Sequence, residues 1–431
     1  MQKISYPELG IEIVPGPGRD TTDDTISFTA DDKRYTLVNS LEHQPHGIKT
    51  ASATLGIKKS GKIDFTVVAL EQPAPAAGLF TRSLCPSVTI LRGRKILKDG
   101  KLQALAVNSG NANVFTPNGE RDVNRTAELL AEELGIAADD ILICSTGVIG
   151  VPLPMEKFEQ GIPGIGATLR TNNLDAAASA ILTTDHGPKT VSIKIGELVI
   201  CGMAKGAGMI EPNMATMLVY FFTNARLSAE DLQSSLRQAA DASFQSISID
   251  SDTSTSDAVA LFSTQQIVLD STLKAAFDAA LRAMSIKLAR DIVSQGEGVS
   301  KIIECSVRTG ISSQFAKQTA KGIINSPLVK AAVHGADPNW GRIVAAIGKS
   351  ELPSGKSSVL DPTQLTIQLM GETVYRNGEA TTVDLPSVSR KMKEASLVSI
   401  AVTIEGDKFL ARTWGCDLTE EYVTFNSDYT S

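Results

Sequence analysis

From Gly47 onward, short apolar runs alternate with segments that carry an apolar residue every three or four positions. The runs IDFTVVALE (63–71), LQALAVNSG (102–110) and ILIC (141–144) are typical of buried strands, and the periodic segments are typical of helices that cover a sheet. Since this pattern continues through most of the 431 residues, it predicts a mixed α/β fold. The length predicts one large domain or two medium ones.

Composition and charge exclude several classes of protein. The net charge is −7 and Lys/Arg runs are short, so the footprint of a nucleic-acid-binding protein is absent. No window approaches the ~18 apolar residues of a membrane span, and the amino terminus lacks the pattern of a signal peptide. The five cysteines are odd in number and include no C-x-x-C pair. They predict neither disulfides nor a zinc site, and we expect a cytoplasmic protein.

Three helices are predicted from spacing and end signals. One covers 122–134, with Gly135 ending it. A second begins after Ser228, where Asp231 three residues later resembles a capping box. A third covers about 272–294, with a stripe of apolar residues on one face. Residues 1–46 differ in being polar and rich in turns, so we interpret them as a peripheral, strand-containing extension.

The segment Lys205–Asn224 carries the strongest chemical signal. Gly206 and Gly208 allow positive φ, and Pro212 stiffens the chain. The apolar run that follows Thr216 is typical of a buried strand. This threonine therefore lies where a flexible loop meets a core strand.

A threonine hydroxyl needs a base before it can act as a nucleophile. An amino-terminal threonine supplies that base as its own α-amine, whose ordinary pKa is about 8. Cleavage of the chain between Ala215 and Thr216 would release such an amine. The local pattern is equally compatible with a glycine-rich turn before an ordinary strand, and both interpretations stay open at this point.

Other motifs are weaker. The sequence contains only four histidines, and a Ser-His-Asp triad would have to use His186 or His334, which both lie beside turn residues. In STGVIG, Thr146 and Gly147 follow a predicted strand, a suitable place to hold negative charge on a carbonyl oxygen. The Asp-rich stretch 249–257 lacks the Gly and distal Glu of an EF-hand, so we expect its side chains to bind loop backbone and predict no metal. No nucleotide-binding motif is present in its required context.

Taken together, the motifs resemble the ornithine acetyltransferases, or glutamate N-acetyltransferases, of arginine biosynthesis. The resemblance covers roughly 47–431 and rests on ordered blocks: GIKKSGKID (56–64), NSGNAN (108–113), STGVIG (145–150), TTDHGPK (183–189), KGAGMIEPNMATML (205–218), DTSTSD (252–257), SQGEGVSK (294–301), GADPNWGRI (335–343) and NSDYTS (426–431). It implies a layered α-β-β-α sandwich core with a smaller C-terminal α+β domain. Activity in this family is transfer of acetyl from N2-acetylornithine to glutamate through an acetyl ester on threonine.

By motif, the resemblance implies that Thr216 is the nucleophile after self-cleavage. It implies that Thr146 and Gly147 form the oxyanion hole. Substrate contacts fall on Thr183, Lys205, Thr216, Glu297, Asn426 and Ser431. The α and β chains that result would assemble as α2β2, without metal or redox cofactor and with acetyl-CoA as an alternative donor.

The implied organisation is an extension (1–46), an α-chain part of the catalytic domain (47–215), a β-chain part that completes it (216–310) and a C-terminal domain (311–431). The Asp-rich loop departs from the family, which commonly has Gly after the first Asp and Asn before the last, and Ser431 replaces the usual Thr. Three alternatives therefore stay open: a paralogue acetyltransferase of a specialised pathway, an amidohydrolase or aminopeptidase with the same kind of nucleophile, and a binding or assembly protein on this scaffold.

Overall fold

The computed structural model describes residues 3–211, 217–353 and 359–428. Its strands are β1 (Ile4–Tyr6), β2 (Ile11–Val14), β3 (Thr25–Ala30), β4 (Lys33–Thr36), β5 (Ile48–Ala53), β6 (Phe65–Phe80), β7 (Lys101–Asn111), β8 (Ile141–Val148), β9 (Lys189–Ile195), β10 (Leu198–Lys205), β11 (Leu218–Arg226), β12 (Ala258–Val268), β13 (Ile302–Thr309), β14 (Leu365–Leu369), β15 (Glu372–Arg376), β16 (Glu379–Ala380), β17 (Leu397–Ile404) and β18 (Phe409–Cys416).

From β6 onward, the helices lie between single strands or groups of strands. They are α1 (Val88–Ile96), α2 (Gly119–Leu134), α3 (Met155–Gly161), α4 (Leu174–Ala180), α5 (Ala229–Asp241), α6 (Ser271–Ser294), α7 (Ser313–Ile324), α8 (Pro327–His334), α9 (Trp340–Ile347), α10 (Leu385–Glu394) and α11 (Glu420–Asp428). None of the helices in the described ranges is both long and apolar enough to cross a membrane.

The centre of the molecule is a sheet in the order β8-β7-β6-β12-β11-β10-β9, with β5 also paired to β6. The first half of β6 pairs with β5 and β7, and its second half pairs with β12. Strand β6 therefore joins two halves of the sheet, β5–β8 and β9–β12. One buried cluster contains side chains from both halves, such as Leu105 and Phe262. Helices α2 and α3 cover the outer face of the β5–β8 half, and α5 and α6 cover that of the β9–β12 half. The two halves of the sheet thus share one buried cluster on their inner faces and are covered by helices on their outer faces. This is the predicted α-β-β-α layering.

A second sheet, in the order β16-β15-β14-β17-β13-β18, forms the predicted smaller C-terminal α+β part. Its own buried cluster includes side chains of α7, α8, α9 and α10. The predicted domain boundaries remain predictions.

Strand β6 is longer than its pattern predicts. The prediction ended it at Glu71, whereas the strand runs on through Pro73 and Pro75 to Phe80. Its pairing with β7 shifts between Ala69 and Ala74. Proline is tolerated at such an irregularity, where the ladder does not use every N–H.

The predicted helices are present, with one start misplaced. Helix α2 begins at Gly119 rather than at 122 and ends at Gly135 in the left-handed conformation, as expected. Ser228 caps α5 by accepting a hydrogen bond from the Asp231 N–H at 3.1 Å. Helix α6 spans Ser271–Ser294, within one residue of the prediction.

Residues 4–36 form a four-stranded antiparallel sheet, β1-β2-β3-β4. Its apolar side chains, including Tyr6 and Phe28, join the same buried cluster as Phe277 and Leu288 of α6. Helix α6 is consequently buried on its polar side too, where Lys287, Arg290 and Asp291 are each 1% exposed. The strands predicted for this extension are present, and because they form the outer cover of a core helix they share its buried cluster rather than standing apart from it.

Candidate active site

A cavity of about 200 Å³ lies where the carboxyl ends of β8 and β10 meet the start of β11 and β12. Strand β11 runs parallel to β12 and antiparallel to β10, so that Lys205 at the end of β10 pairs with Leu218. Strand β8 belongs to the opposite half of the sandwich, and it contributes Thr146 and Gly147. Both halves thus present side chains to one small space.

Six of the eight predicted site residues line this cavity: Thr146, Gly147, Thr183, Lys205, Glu297 and Asn426. Thr216 and Ser431 lie outside the described residues. Met217, which follows the predicted nucleophile in the sequence, also lines the cavity. The structure therefore brings the described members of the set together, and their individual roles remain predictions.

Thr146 and Gly147 lie within a strand. We expected them to follow one, but β8 continues to Val148 because β7 keeps pairing with it, Gly110 opposite Gly147. Gly147 has φ 132°, and a Cβ there would lie 2.3 Å from the Gly110 carbonyl carbon. Only glycine fits at this position.

Lys205 is the one lysine or arginine among the described residues that line the cavity. It is 9% exposed, and its Nζ donates a hydrogen bond to the Thr146 hydroxyl at 3.1 Å. Burial lowers its pKa, while the charge of Asp185 acts in the opposite direction. Since the Thr146 oxygen accepts from an ammonium group, the hydroxyl proton is left free to be donated into the cavity.

Asp185 and Lys189 form a buried ion pair behind Lys205 that sequence reasoning did not identify. Their charged atoms are 2.6 Å apart with both side chains 0% exposed. The Asp185 carboxylate also accepts the Gly206 N–H at 2.6 Å. Burial by itself would raise the pKa of Asp185, but the charges of Lys189 and Lys205 hold it well below its usual range. The TTDHGPK block contains both residues, and a charged pair four positions apart was the available signal.

Glu297 is held from two sides. Its carboxylate accepts hydrogen bonds from the Thr184 hydroxyl at 2.7 Å and from the Asn426 amide at 3.1 Å. Gly208 lies against it, because a Cβ there would be 2.3 Å from Glu297 Oε2. Gly206 does adopt positive φ, at 156°, but Gly208 is not among the residues with positive φ. Gly208 is therefore needed for the close approach of Glu297 rather than for positive φ.

The Asp-rich loop adds acidic groups to the cavity. Asp250 accepts the N–H groups of Met209 and Ile210 at 2.7 and 2.8 Å, which is the backbone-binding role that we expected for this stretch. Asp257 was not predicted as a site residue. It is 3% exposed and lines the cavity, and its Oδ2 has no hydrogen-bond partner within the described ranges. Burial raises its pKa well above the usual range.

The arrangement suits a small zwitterion. One buried ammonium group, Lys205, can pair with a carboxylate, and the acids Glu297, Asp250 and Asp252 on the other walls can pair with an amine. None of the four histidines lines the cavity, and His334 instead contacts Asp417 at 3.1 Å. A histidine base for this site therefore has no support.

Comparison with known proteins identifies the family to which this chain belongs. The ArgJ family model matches residues 49–431. The arginine biosynthesis bifunctional protein ArgJ 2 of Clostridium acetobutylicum is 41% identical over 387 residues, which are 90% of this chain and 98% of that protein. The glutamate N-acetyltransferase Oat2 of Streptomyces clavuligerus is 37% identical over 401 residues, 92% of this chain and all of that protein. A crystal structure of the ArgJ protein of Bacillus halodurans matches with 33% identity and a TM-score of 0.46, covering 50% of this chain and 100% of that chain. On the match over nearly the whole length, this chain belongs to the ArgJ family.

Proposed function

We propose that this chain is an acetyltransferase that moves the acetyl group of N2-acetylornithine to glutamate, giving ornithine and N-acetylglutamate. The support is the family, whose members carry names that include arginine biosynthesis and glutamate N-acetyltransferase. The single observation that carries the proposal is the cavity at the start of β11, where an ammonium group and several acids surround a space for a zwitterion. Acetyl-CoA as an alternative donor, an α2β2 assembly and a cytoplasmic location are further parts of the proposal.

We infer that the chain first cuts itself between Ala215 and Thr216. The Thr216 hydroxyl oxygen bonds to the Ala215 carbonyl carbon while the peptide C–N bond breaks, and the nitrogen receives a proton to become an amine. Water then cleaves the ester, leaving a carboxylate on Ala215 and restoring the hydroxyl. Pairing of Lys205 with Leu218 supports this step, because it brings both ends of the connecting segment to the cavity.

Acetyl transfer then uses the same hydroxyl twice. The α-amine of Thr216 takes the hydroxyl proton as the oxygen attacks the acetyl carbonyl, and the amine of ornithine leaves with that proton. The amine of glutamate next attacks the acetyl ester, and the threonine oxygen regains a proton. Negative charge on the carbonyl oxygen in both steps is stabilised by the hydroxyl of Thr146, which Lys205 polarises, together with Gly147.

The direct test is an assay with N2-acetylornithine as donor and either glutamate or water as acceptor. Formation of N-acetylglutamate supports the proposal, and acetyl-CoA in place of the donor tests the second activity. Release of free acetate without N-acetylglutamate would instead identify an amidohydrolase.

Gly208→Ala is expected to raise KM for N2-acetylornithine with little effect on folding. The new methyl group would occupy the place of the Glu297 carboxylate, whose side chain can turn away, so the charged contact to the substrate amine is lost. Such a contact contributes about 1.5–3 kcal/mol, roughly a ten- to hundredfold change in KM. Gly187→Ala is the matched control, because nothing lies within 4 Å of its Cβ position. Equal kinetics in the two variants would contradict the role of Glu297.

Substrate binding is expected to weaken at alkaline pH. Lys205 binds a carboxylate only when it is protonated. Because burial lowers its pKa, KM should begin to rise at a pH lower than the ordinary lysine pKa of about 10.4. Lys205→Arg keeps its charge in this range and should flatten the pH profile of KM, even if its KM at neutral pH is higher. An unchanged alkaline rise in Lys205→Arg would assign the titration to another group.

A further inference from the structure

A second, larger cavity of about 880 Å³ lies between the N-terminal sheet, the last turns of α6 and the C-terminal sheet. It shares no lining residue with the candidate active site. Its volume is in the range of small-molecule sites. One wall is the loop 15–21 together with Asp24, all of which precede the matched family region at 49.

The acids on the inner wall of this cavity are fully engaged. The Asp24 carboxylate accepts the Gly16 N–H and the Arg290 guanidinium, both at 2.9 Å. Glu304 accepts from Arg412 and Trp414 at 2.9 and 3.0 Å, and also from the Tyr6 hydroxyl. These carboxylates have little remaining capacity to bind a cation.

Asp20 is engaged in the same way. Its two oxygens accept from the Thr22 N–H, the Ser294 hydroxyl and the Gln295 amide at 2.8–3.0 Å. Glu394, on the exposed rim, is the one acid of the lining without an ion pair or hydrogen bond in the part of the chain that the structure describes.

Among the described lining residues, the charged groups that lack an ion-pair partner are mostly cations. Arg19 and Lys393 line the cavity, are exposed, and form no ion pair within the described residues. Arg290 is 1% exposed, and its Nε is a buried donor that has no hydrogen-bond partner in the same ranges. Lys301 adds a further positive charge, although its Nζ donates to the carbonyl oxygens of Met392, Lys393 and Ala395. Because Arg290 is buried against Asp24 and Glu304, the exposed cations among these residues are Arg19 and Lys393.

We propose that this cavity binds a small organic anion, whose carboxylate or phosphate group lies against the exposed cations Arg19 and Lys393. Guanidinium groups are well matched to both kinds of oxyanion. Because the wall that carries Arg19 precedes the matched family region and the wall that carries Lys393 lies within it, the extension completes this site. The site is connected to the active site through the end of α6. Asp20 binds Ser294 and Gln295, and Glu297 of the active site follows two residues later in the sequence.

The test is calorimetric titration of the purified full-length protein at low salt with citrate, with inorganic phosphate and with uncharged glucose. Binding of citrate or phosphate, but not of glucose, is expected, and the better of the two identifies the preferred anionic group. The double variant Arg19→Ala/Lys393→Ala should weaken the affinity at least tenfold. Its matched control is Lys98→Ala/Arg237→Ala, which removes the same charge from exposed positions elsewhere and should bind like the parent.

Lys205→Ala separates the two cavities, because it removes the cation of the active site. Unchanged anion affinity in Lys205→Ala supports the proposed site. Loss of affinity in Lys205→Ala, equal affinity of the parent and Arg19→Ala/Lys393→Ala, or absence of any heat with both anions would each overturn the proposal. Acetyl transfer by the Arg19→Ala/Lys393→Ala variant, measured in the absence of added anion, should equal that of the parent and shows that it is folded.

Discussion

Thr216→Ala is expected to remain one polypeptide of 45.6 kDa and to lose acetyl transfer, whereas the parent protein is expected to give the fragments 1–215 and 216–431. The substitution removes the oxygen that attacks in both reactions. Loss of a nucleophile leaves only the contribution of substrate binding and charge stabilisation, so a fall in turnover of about 10⁴-fold or more is expected. Denaturing electrophoresis and intact mass measure the first effect, and the N-acetylglutamate assay measures the second.

Thr216→Ser is the matched control, because it retains the hydroxyl and the α-amine. It should still be cut, and with N2-acetylornithine alone its 216–431 fragment should become heavier by one acetyl group. Cleavage of Thr216→Ala at the same bond would place the nucleophile of cleavage at another residue, and full transfer by an uncut chain would mean that the α-amine of Thr216 is not the base.

Arg290→Met is expected to lower the free energy of unfolding by about 3–5 kcal/mol, the usual result of removing one partner of a buried ion pair. The guanidinium lies 2.9 Å from Asp24 and 3.6 Å from Glu304, and all three side chains are nearly inaccessible to water. Methionine fills much of the volume but leaves the buried Asp24 carboxylate without its cation and Glu304 paired with Arg412 alone. Urea unfolding in the Thr216→Ala background measures the change on a single uncut chain.

Arg237→Met is the control for this experiment, since Arg237 is exposed on α5. It should change the free energy of unfolding by less than about 0.5 kcal/mol. A similarly small effect of Arg290→Met would mean that the ion pairs behave like exposed ones, which contribute little.

Local signals in the sequence predicted much of the fold. Ser228 and Asp231 correctly predicted the start of α5, and Gly135 correctly predicted the end of α2, because helix caps depend on residues within one turn. The apolar spacing of α6 gave its length. The spacing could not show that the polar face of α6 is buried as well, since the cover comes from strands within residues 4–36, which are distant along the chain.

The candidate site divides in the same way. Motif resemblance named six residues that line one cavity in the structure, and physical reasoning alone had singled out only some of them. It missed Asp185 and Asp257, because their importance comes from burial and from contacts with other elements. Desolvation of a carboxyl group depends on the packed structure, so neither the lowered pKa of Asp185 nor the raised pKa of Asp257 has a local sequence signal.

The order of strands in the central sheet has a consequence for how the mature enzyme is made. Strands β11 and β12, from 216–431, lie between β6 and β10, which belong to 1–215. A separate 216–431 fragment would expose both long edges of an apolar strand pair, and such edges associate with other chains. Synthesis of the two halves from separate genes should therefore give insoluble material. If the chain is cut as we propose, heating that separates the two halves should inactivate the protein irreversibly, because their reassociation is a second-order reaction that competes with aggregation.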